Sequence, residues 1–430
     1  MNHLTLWVLS LSLAWATAAK AELVIEITEG VEDPIPVAFV PFEYTGAGAL
    51  PLELADLIER NLERTGQFEG TPRENMLSRP ARGTDVVFRD WRLLESEYLL
   101  IGRVEPAASG LAVTFELFDV FGQAPLMQMR VPGTEAQLRD IGHYISDLVY
   151  EKLSGNKGIF STKLAYVTVE RRSEKDQTFQ LIYSDADGGR PQVIFESPEP
   201  IMSPTWSPEG GRIAYVSYAN NRPEIYVQEL STGRQIQVAA YEGQNTAPSF
   251  SPDGRRLAFT SSMDGNPEIY IKNLSNQRLL RVTRNAAIDT EPRFSADGDR
   301  LLFTSTRAGN PHVYEVDVAE GKTQRVTYEG RYNSNANYIP GTDDIVFVHQ
   351  FDRDYQVAVQ SSETGAISVL TASGLDESPS PAPNGQLIVY ATTSGGKGVL
   401  GLTSVDGSVR TLIPSTAGDV REPAWSPYLN

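Results

Sequence analysis

A short segment recurs at an almost constant interval through the second half of the chain. Its copies are 204–215 (PTWSPEGGRIAY), 248–259 (PSFSPDGRRLAF), 292–303 (PRFSADGDRLLF), 336–347 (ANYIPGTDDIVF) and 379–390 (PSPAPNGQLIVY). Their starts lie 44, 44, 44 and 43 residues apart, and a sixth start, at Pro423, follows 44 residues later. After each segment comes an alternating run such as 224–227 or 268–271, then a turn and a final apolar pair. Each repeat therefore contains four short strands.

This repeat favours one particular β architecture. The alternating runs place side chains on opposite faces of a strand, and Gly, Pro, Asn or Asp bounds each run. Four strands in about 44 residues are typical of a β-propeller blade. Helical solenoids share the period but show a 3.6-residue periodicity, which is absent here, and a β-sandwich does not account for six evenly spaced copies. We expect an all-β six-bladed β-propeller over residues 161–430.

The last copy indicates how the ring closes. It contains only a first strand, residues 422–426, before the chain ends. Residues 163–167, 179–183 and 192–195 look like strands two to four of a blade that lacks its first. The two pieces complete one another, so we expect five whole blades and one composite blade. This closure joins the first and last segments of the propeller without a disulfide bond.

The residues before the propeller predict a small α/β domain. We expect it over residues 22–155, with a linker at 156–160. Expected strands lie at 22–28, 35–42, 98–104, 111–119 and 126–131. One helix is expected at 50–65, and a second begins at Thr134, where Gln137 completes a capping box. The first strand can dock on its own domain or pair with another sheet edge.

The N-terminus has the pattern of an export signal, expected over residues 1–21. An apolar run at 4–16 is too short to cross a bilayer and precedes Ala19, Lys20 and Ala21, a small-x-small cleavage pattern. A buried N-terminal helix fits less well, because polar Glu22 follows the small residues abruptly. No later stretch reaches the ~18 consecutive apolar residues of a membrane span. We therefore expect an exported, soluble protein.

Composition excludes several classes of function. The 430 residues carry a formal net charge of −18, with no Cys and four His. This charge disfavours binding to nucleic acid or to an anionic lipid surface. The absence of Cys excludes a thiolate nucleophile and a Cys-ligated metal, and the His residues lie too far apart in sequence to suggest a metal cluster. Neither a Gly-x-Ser-x-Gly motif nor a P-loop is present.

Two local features have both a chemical and a structural interpretation. Residues 185–189 (DADGG) resemble the start of a calcium loop. They lack the later Glu ligand and fall where a hairpin turn is needed, which favours a turn. His143 lies on the second expected helix without another candidate ligand beside it, which favours a structural role.

The loop before each first strand opens onto one face of a propeller, beside the central channel. These loops are 244–247 (QNTA), 288–291 (IDTE), 332–335 (YNSN), 375–378 (LDES) and 419–422 (DVRE). Their carboxylates and amides either suit exposed loops without further function, or form an acidic rim that receives a cationic segment or ion. No base and nucleophile are paired there, as hydrolysis requires.

Several motifs are similar to those of a known family. They are 155–160 (GNKGIF), 164–167 (LAYV), 203–208 (SPTWSP), 376–380 (DESPS), 423–429 (PAWSPYL) and, in the first domain, 37–42 (VAFVPF). With this order of domains, the chain resembles the TolB family, the periplasmic propeller proteins of the Tol-Pal system of Gram-negative envelopes. The resemblance covers essentially the whole mature chain. The fourth repeat departs from it, with Ile339, Pro340 and Gly341 in place of the Ser-Pro-Asp-Gly turn.

The resemblance implies a non-enzymatic adaptor without a cofactor that maintains the outer membrane, notably during cell division, and that bacteriocins exploit. Six blades closed on themselves argue for a monomer. It implies that the lipoprotein Pal docks at the channel mouth. The residues that it places at this contact are Gln244, Asn245, Ala247, Asp289, Thr290, Glu291, Asn333, Asp376 and Glu377. It also implies that TolA binds the N-terminal strand, and that Pal binding and strand exposure are linked. The residues of that strand are Glu22, Leu23, Val24, Ile25, Glu26 and Ile27.

A second class of function stays open at this point. Six-bladed propellers also gate α/β-hydrolase peptidases, or bind a sugar or lactone with calcium in the channel. The chain has no hydrolase domain. A propeller that binds a sugar or lactone with calcium needs several carboxylates that converge in the channel, and the sequence does not give their positions. Fold alone does not decide between an adaptor and an enzyme.

Overall fold

The computed structural model describes residues 25–26, 34–173, 176–413 and 418–429. The expected export signal, residues 1–21, lies outside these ranges. In the described part of the chain, no helix is both long and apolar enough to cross a membrane.

The first domain is built on a mixed sheet. The elements in this part of the chain are β1 (Ile25–Glu26), β2 (Ile35–Phe39), β3 (Glu43–Tyr44), α1 (Leu54–Glu63), β4 (Phe68–Gly70), α2 (Phe88–Leu93), β5 (Tyr98–Ala107), β6 (Gly110–Asp119), β7 (Ala124–Gly133) and α3 (Leu138–Ser154). Short 3-10 helices occur at Arg73–Asn75, Gly83–Asp85 and Glu135–Gln137. The sheet order is β4-β2-β5-β6-β7, and β3 also pairs with β5. Strands β5 to β7 form the expected antiparallel meander.

Both expected helices are confirmed, and they cover one face of this sheet. The carboxylate of Glu53 caps α1 by accepting the N–H groups of Ala55 and Asp56, each at 3.2 Å. The capping box of Thr134 and Gln137 is also present and leads into α3. The shared core contains Phe39, Leu54, Ile58, Leu100, Phe115, Ile145 and Val149.

A third layer covers the opposite face of the sheet. Residues 73–94 contain α2 and two of the 3-10 helices, and Trp91 is buried there with Leu99 and Phe118. The sequence pattern does not predict this layer, because its helices are three to six residues long and show no complete helical period.

The other strands form the six sheets of a β-propeller. In chain order they are β8 (Lys163–Ser173), β9 (Asp176–Asp185), β10 (Gln192–Ser197), β11 (Ile201–Trp206), β12 (Arg212–Ser217), β13 (Glu224–Glu229), β14 (Gln235–Ala239), β15 (Asn245–Phe250), β16 (Arg256–Ser261), β17 (Glu268–Asn273), β18 (Leu279–Arg281), β19 (Asp289–Phe294), β20 (Arg300–Ala308), β21 (Asn310–Asp317), β22 (Thr323–Arg325), β23 (Asn333–Tyr338), β24 (Ile345–Phe351), β25 (Asp354–Gln360), β26 (Ile367–Val369), β27 (Glu377–Pro381), β28 (Leu387–Ser394), β29 (Lys397–Ser404), β30 (Arg410–Ile413) and β31 (Asp419–Trp425). Blades 1 to 5 are β11–β14, β15–β18, β19–β22, β23–β26 and β27–β30.

Blade 6 is composite, as the sequence predicts. Its strand order is β31-β8-β9-β10. Trp425 lies opposite Leu164 in the register of β31 with β8. The indole N–H of Trp425 also donates to the hydroxyl of Thr162 at 2.8 Å. The end of the chain thus completes the blade in which the propeller begins.

Strand β1 extends the outer edge of blade 5. Ile25 pairs with Thr411 and Glu26 with Arg410, antiparallel to β30. The other residues of the expected strand at 22–28 lie outside the described ranges. The backbone of these two residues therefore lies on a propeller edge rather than in the sheet of the first domain.

Candidate partner-binding site

All six inner strands bend at the same point beside the central channel. In each, the register with the second strand shifts, and one residue has a positive φ between 50° and 59°. These residues are Ser203, Ala247, Glu291, Asn335, Ser378 and Glu422. Because they occupy equivalent positions in the six blades, they form a ring, which we call the waist.

Two waist carboxylates hold the backbone of the following blade. Glu291 Oε2 accepts the N–H of Asn335 at 2.8 Å. Glu422 Oε2 accepts the N–H of Ser203 in the same way. Burial and the neighbouring charge of Glu377 together raise the pKa of Glu422 to about 7, against the lowering effect of the Ser203 N–H. Glu422 therefore titrates near neutral pH.

On one side of the waist the channel opens into a cavity of about 750 Å³, which we call the mouth. Its lining includes Glu291, Tyr332, Tyr355, Leu375, Glu377, Arg421 and Glu422. The rings of Tyr332 and Tyr355 meet edge to face with centroids 5.2 Å apart. Leu375, next to them, is 61% exposed. The mouth thus combines apolar, aromatic and charged groups on an accessible surface.

Four of the predicted contact residues lie beneath the surface of the mouth. Asn245, Asp289, Asn333 and Asp376 are each 0% exposed. They occupy one equivalent position in blades 2 to 5, just before the bulge. The expected acidic rim is therefore corrected at Asp289 and Asp376, whose carboxylates are enclosed by their blades.

Asp289 shows what these buried residues do. It accepts hydrogen bonds from the Ser305 hydroxyl and from the Arg307 guanidinium, both at 2.6 Å. Burial raises the pKa of Asp289, although these two partners oppose the shift. The carboxylate fixes its inter-blade loop to the second strand of the same blade.

Asn333 has a similar structural role between two histidines. Its side-chain N–H donates to His312 Nδ1 at 3.0 Å, and its oxygen accepts from His349 Nδ1 at 2.7 Å. Burial lowers the pKa of both histidines. The sequence gives no sign of this arrangement, since the three residues come from separate strands.

The other predicted contacts are closer to the surface of the mouth. Gln244 and Glu377 are exposed, and Thr290 and Glu291 are half-buried. Ala247 is 6% exposed and contributes a waist position. Of this group, Glu291 and Glu377 line the mouth cavity.

Several lining residues are missing from the predicted Pal contacts, although three of them lie in the loops 332–335 and 419–422 that were expected beside the channel. Tyr332, Tyr355 and Arg421 line the mouth, and Glu422 joins it to the waist. A signal for Glu422 is present in the repeat, because it precedes Pro423 as Glu291 precedes Pro292. Tyr355 has no such signal, since it comes from a hairpin between the second and third strands.

A buried ion cluster joins the two domains, in a turn at the opposite end of the strands from the mouth. Asp185, in the β9–β10 turn, contacts Arg139 of α3 at 2.8 Å, Lys163 at 2.5 Å and Arg190 at 2.9 Å. Burial alone would raise the pKa of Asp185, but the contacts with these cations and with His143 hold it well below its usual range. This carboxylate therefore connects the first domain to blade 6.

The same cluster has one geometric feature of a metal site. Ligand atoms of His143, Asp185 and Asp187 lie within 4.8 Å of one another. However, Arg139 binds both carboxylates, and Arg64 lies 4.0 Å from Asp187. A metal cation would have to displace or oppose these guanidinium groups, so the cluster suits an ion-paired interface. The expected turn at 185–189 is confirmed.

The mouth and waist offer binding groups rather than a hydrolytic pair. Among their described residues, no hydroxyl contacts a histidine, and the Glu422 carboxylate contacts a backbone N–H. A nucleophile activated by a neighbouring histidine is therefore not formed there.

Comparison with known proteins matches both domains. The family model described as the TolB beta propeller domain matches residues 150–429, and the TolB amino-terminal domain matches residues 23–126. Tol-Pal system protein TolB of Pseudomonas aeruginosa is 55% identical over 417 residues, 96% of this chain and 96% of that protein. The protein of the same name from Marinomonas sp. is 55% identical over 423 residues, 98% of each chain. The crystal structure of TolB from Acinetobacter baumannii has a TM-score of 0.86 at 37% identity, covering 95% of this chain and 100% of that one. This chain therefore belongs to the TolB family of the Tol-Pal system.

Proposed function

We propose that the protein is a non-enzymatic periplasmic adaptor that binds the lipoprotein Pal at the mouth and TolA through its N-terminal strand. In this role it maintains outer-membrane integrity and the invagination of that membrane during cell division. The observation that carries the proposal is the similarity, over 96–98% of the chain, to proteins of the Tol-Pal system.

The composition of the mouth supports a protein partner there. Leu375, in the wall of the mouth, is 61% exposed, and Phe351, at the end of β24 and outside the lining of the cavity, is 59% exposed. A backbone bridge between Tyr355 and Leu375 holds these two loops together. Protein interfaces typically combine apolar and aromatic anchors with a polar rim, here including Glu377.

Calorimetric titration of residues 22–430 with the soluble domain of Pal tests the mouth. We expect saturable one-to-one binding that the double substitution Leu375→Ser and Glu377→Ala weakens about tenfold or more, because it removes an exposed anchor and a charge. The matched control is Glu320→Ala, an exposed carboxylate in the β21–β22 turn at the opposite end of the strands. Absence of binding by the folded parent chain would contradict the proposal. Calcium-dependent turnover of a sugar or lactone would instead favour an enzyme.

The position of β1 supports the second part of the proposal. Its two residues pair with an edge strand, and an extended segment on an edge can exchange that edge for one in another protein. Deleting residues 22–33 should abolish TolA binding. The control replaces the same residues with a Gly/Ser segment of equal length, which keeps the spacing but removes the apolar strand residues.

The same deletion tests whether the two sites are linked. Blade 5 carries β1 on its outer edge and Glu377 on its inner strand. If strand exposure and Pal binding are linked, removal of residues 22–33 must change the affinity for Pal. An unchanged affinity contradicts the linkage and leaves the Pal site itself intact.

A further inference from the structure

Beyond the waist, on the side away from the mouth, the channel contains a second cavity of about 410 Å³. Six equivalent residues, one from each inner strand, come two positions after the waist. They are Thr205, Ser249, Arg293, Asn337, Ser380 and Ala424. Five of them are short, and Arg293 alone brings a long cationic side chain into this level of the channel.

The guanidinium of Arg293 is fixed on one side and free on the other. Its Nε donates to Asn337 Oδ1 at 3.1 Å, and Nη1 donates to the carbonyls of Pro292 at 3.0 Å and Pro248 at 3.5 Å. Within the described residues, Nη2 donates no hydrogen bond and no carboxylate lies within 4.0 Å of the group. Arg293 is half-buried and lines this cavity, and because an arginine keeps its proton, it brings a positive charge to the wall.

The nearest carboxylates are already bound elsewhere. Glu291 and Glu422 act on the pKa of Arg293 through their charge, against the lowering caused by burial. Both nevertheless accept backbone N–H groups at the waist. They balance part of the charge of Arg293, and Glu422 also lines the cavity, but neither accepts a hydrogen bond from Nη2.

Two hydroxyl groups supply further donors at the same level. Thr205 and Ser249 line this cavity, and in the described part of the chain their hydroxyls make no hydrogen bond. Ser249 follows Pro248, whose carbonyl already binds the guanidinium. The rest of the wall includes the aromatic side chains of Trp206, Phe250, Phe294, Tyr338 and Trp425.

We propose that the cavity below the waist binds a small monovalent anion, a halide or a short carboxylate, on Arg293 Nη2 and the neighbouring hydroxyls. Charge-assisted hydrogen bonds from a fixed guanidinium favour such a ligand. The short side chains at the other equivalent positions leave room for it. The proposal does not depend on Pal or TolA, because the site lies on the other side of the waist from the mouth.

Bromide is the probe, since its anomalous scattering locates it directly. Crystals of the parent protein soaked in sodium bromide should show an anomalous peak within hydrogen-bond distance of Arg293 Nη2. A peak confined to exposed arginines, with none in the cavity, would overturn the proposal without the need for any variant.

Thermal unfolding in solution distinguishes a specific bromide site from binding at crystal concentration only, that is, at the bromide concentration of the soak. At matched ionic strength, bromide should raise the unfolding temperature of the parent more than that of Arg293→Gln. Arg293→Gln should weaken bromide binding about tenfold or more. The control is Arg284→Gln, which removes an exposed guanidinium. A bromide peak without a bromide-dependent unfolding temperature, or an equal response in both variants, overturns the proposal.

Discussion

The backbone N–H of Ser203 donates to the carboxylate of Glu422, 219 residues further along the chain. This contact crosses the seam between blade 1 and the closing strand of blade 6. Burial raises the pKa of Glu422 from 4.5 to about 7. Between these two values the folded protein holds a proton that the unfolded chain releases. The stabilisation by protonated Glu422 is therefore complete below pH 4.5 and is lost as the pH rises through 7.

Glu422→Gln should remove this pH dependence. The amide keeps an oxygen for the Ser203 N–H and carries no charge. At pH 8 we expect the free energy of unfolding to rise by up to about 3 kcal/mol, with little change at pH 4.5. Urea unfolding at the two pH values measures the difference. Glu242→Gln, which changes an exposed carboxylate, serves as the control. An equal effect of Glu422→Gln at both pH values would contradict the assignment of the pH dependence to Glu422.

Deletion of residues 422–430 should open the ring. It removes the part of β31 that pairs with Leu164 and Ala165, and exposes apolar residues of blade 6. We expect loss of the cooperative thermal transition and binding of a hydrophobic dye. Trp425→Phe is the matched control: it retains the strand but loses the indole N–H to Thr162 and part of the buried ring, at a cost of about 1–3 kcal/mol. A truncated chain with an unchanged unfolding temperature would show that β31 does not hold the ring closed.

Asp185→Asn tests the contact between the domains. The amide preserves the shape of the side chain but removes the carboxylate partner of Lys163. Arg139 and Arg190 keep only their second partners, Asp187 and Asp140, so we expect a loss of about 3–5 kcal/mol. Calorimetry should show a lower midpoint or separate transitions for the two domains. Because the folded-state pKa of Asp185 lies below its unfolded value of 3.8, the parent loses this stabilisation as the pH falls, and the difference between parent and variant shrinks in acid.

The control for this variant is an exposed ion pair. Glu209→Gln breaks the 2.6 Å contact with Arg212, both of which are accessible to solvent. It should cost less than about 1 kcal/mol. Similar losses in Asp185→Asn and Glu209→Gln would show that the interdomain cluster does not fix the domains.

Asp289 and Glu377 should respond in opposite ways. Asp289→Ala leaves the Ser305 hydroxyl and the Arg307 guanidinium without their acceptor, and should cost about 2–4 kcal/mol of stability. Glu377→Ala should leave the unfolding midpoint unchanged and weaken Pal binding, because Glu377 is exposed at the mouth. Denaturant titration and calorimetry on both variants separate the two roles. Full stability of Asp289→Ala combined with lost Pal binding would restore Asp289 as a direct contact.

The repeat predicts the propeller and its composite blade because its signals are periodic. Each copy of the repeat shows the same alternation along its strands, the same turn residues and a spacing near 44 residues. A single irregular turn at Pro340 therefore does not obscure the pattern. The helices α1 and α3 were equally predictable from their apolar faces. The layer around Trp91 was not, since helices of three to six residues carry no readable period.

The candidate site was less predictable because the inner strands contain bulges. A register shift of one residue moves side chains to the other face of a strand, and in β19 such a shift falls between Thr290 and Arg293. Strict alternation of side chains along the strand therefore does not predict that Asp289 is enclosed by its blade while Glu291 lies at the waist. The sequence does not predict the pairing of Ile25 with Thr411, for a different reason. The residue pattern of a single short strand does not select one sheet edge over another.

The pairing of Trp425 with Leu164 also sets the order in which the molecule can mature. A chain made from its N-terminus presents β8 long before β31 exists, so the edge of β8 stays unpaired until the last residues emerge. A chain that lacks β31, through early termination or proteolysis, keeps this unpaired edge, where proteases and chaperones can bind. The composite blade therefore cannot form before residues 419–425 have been made.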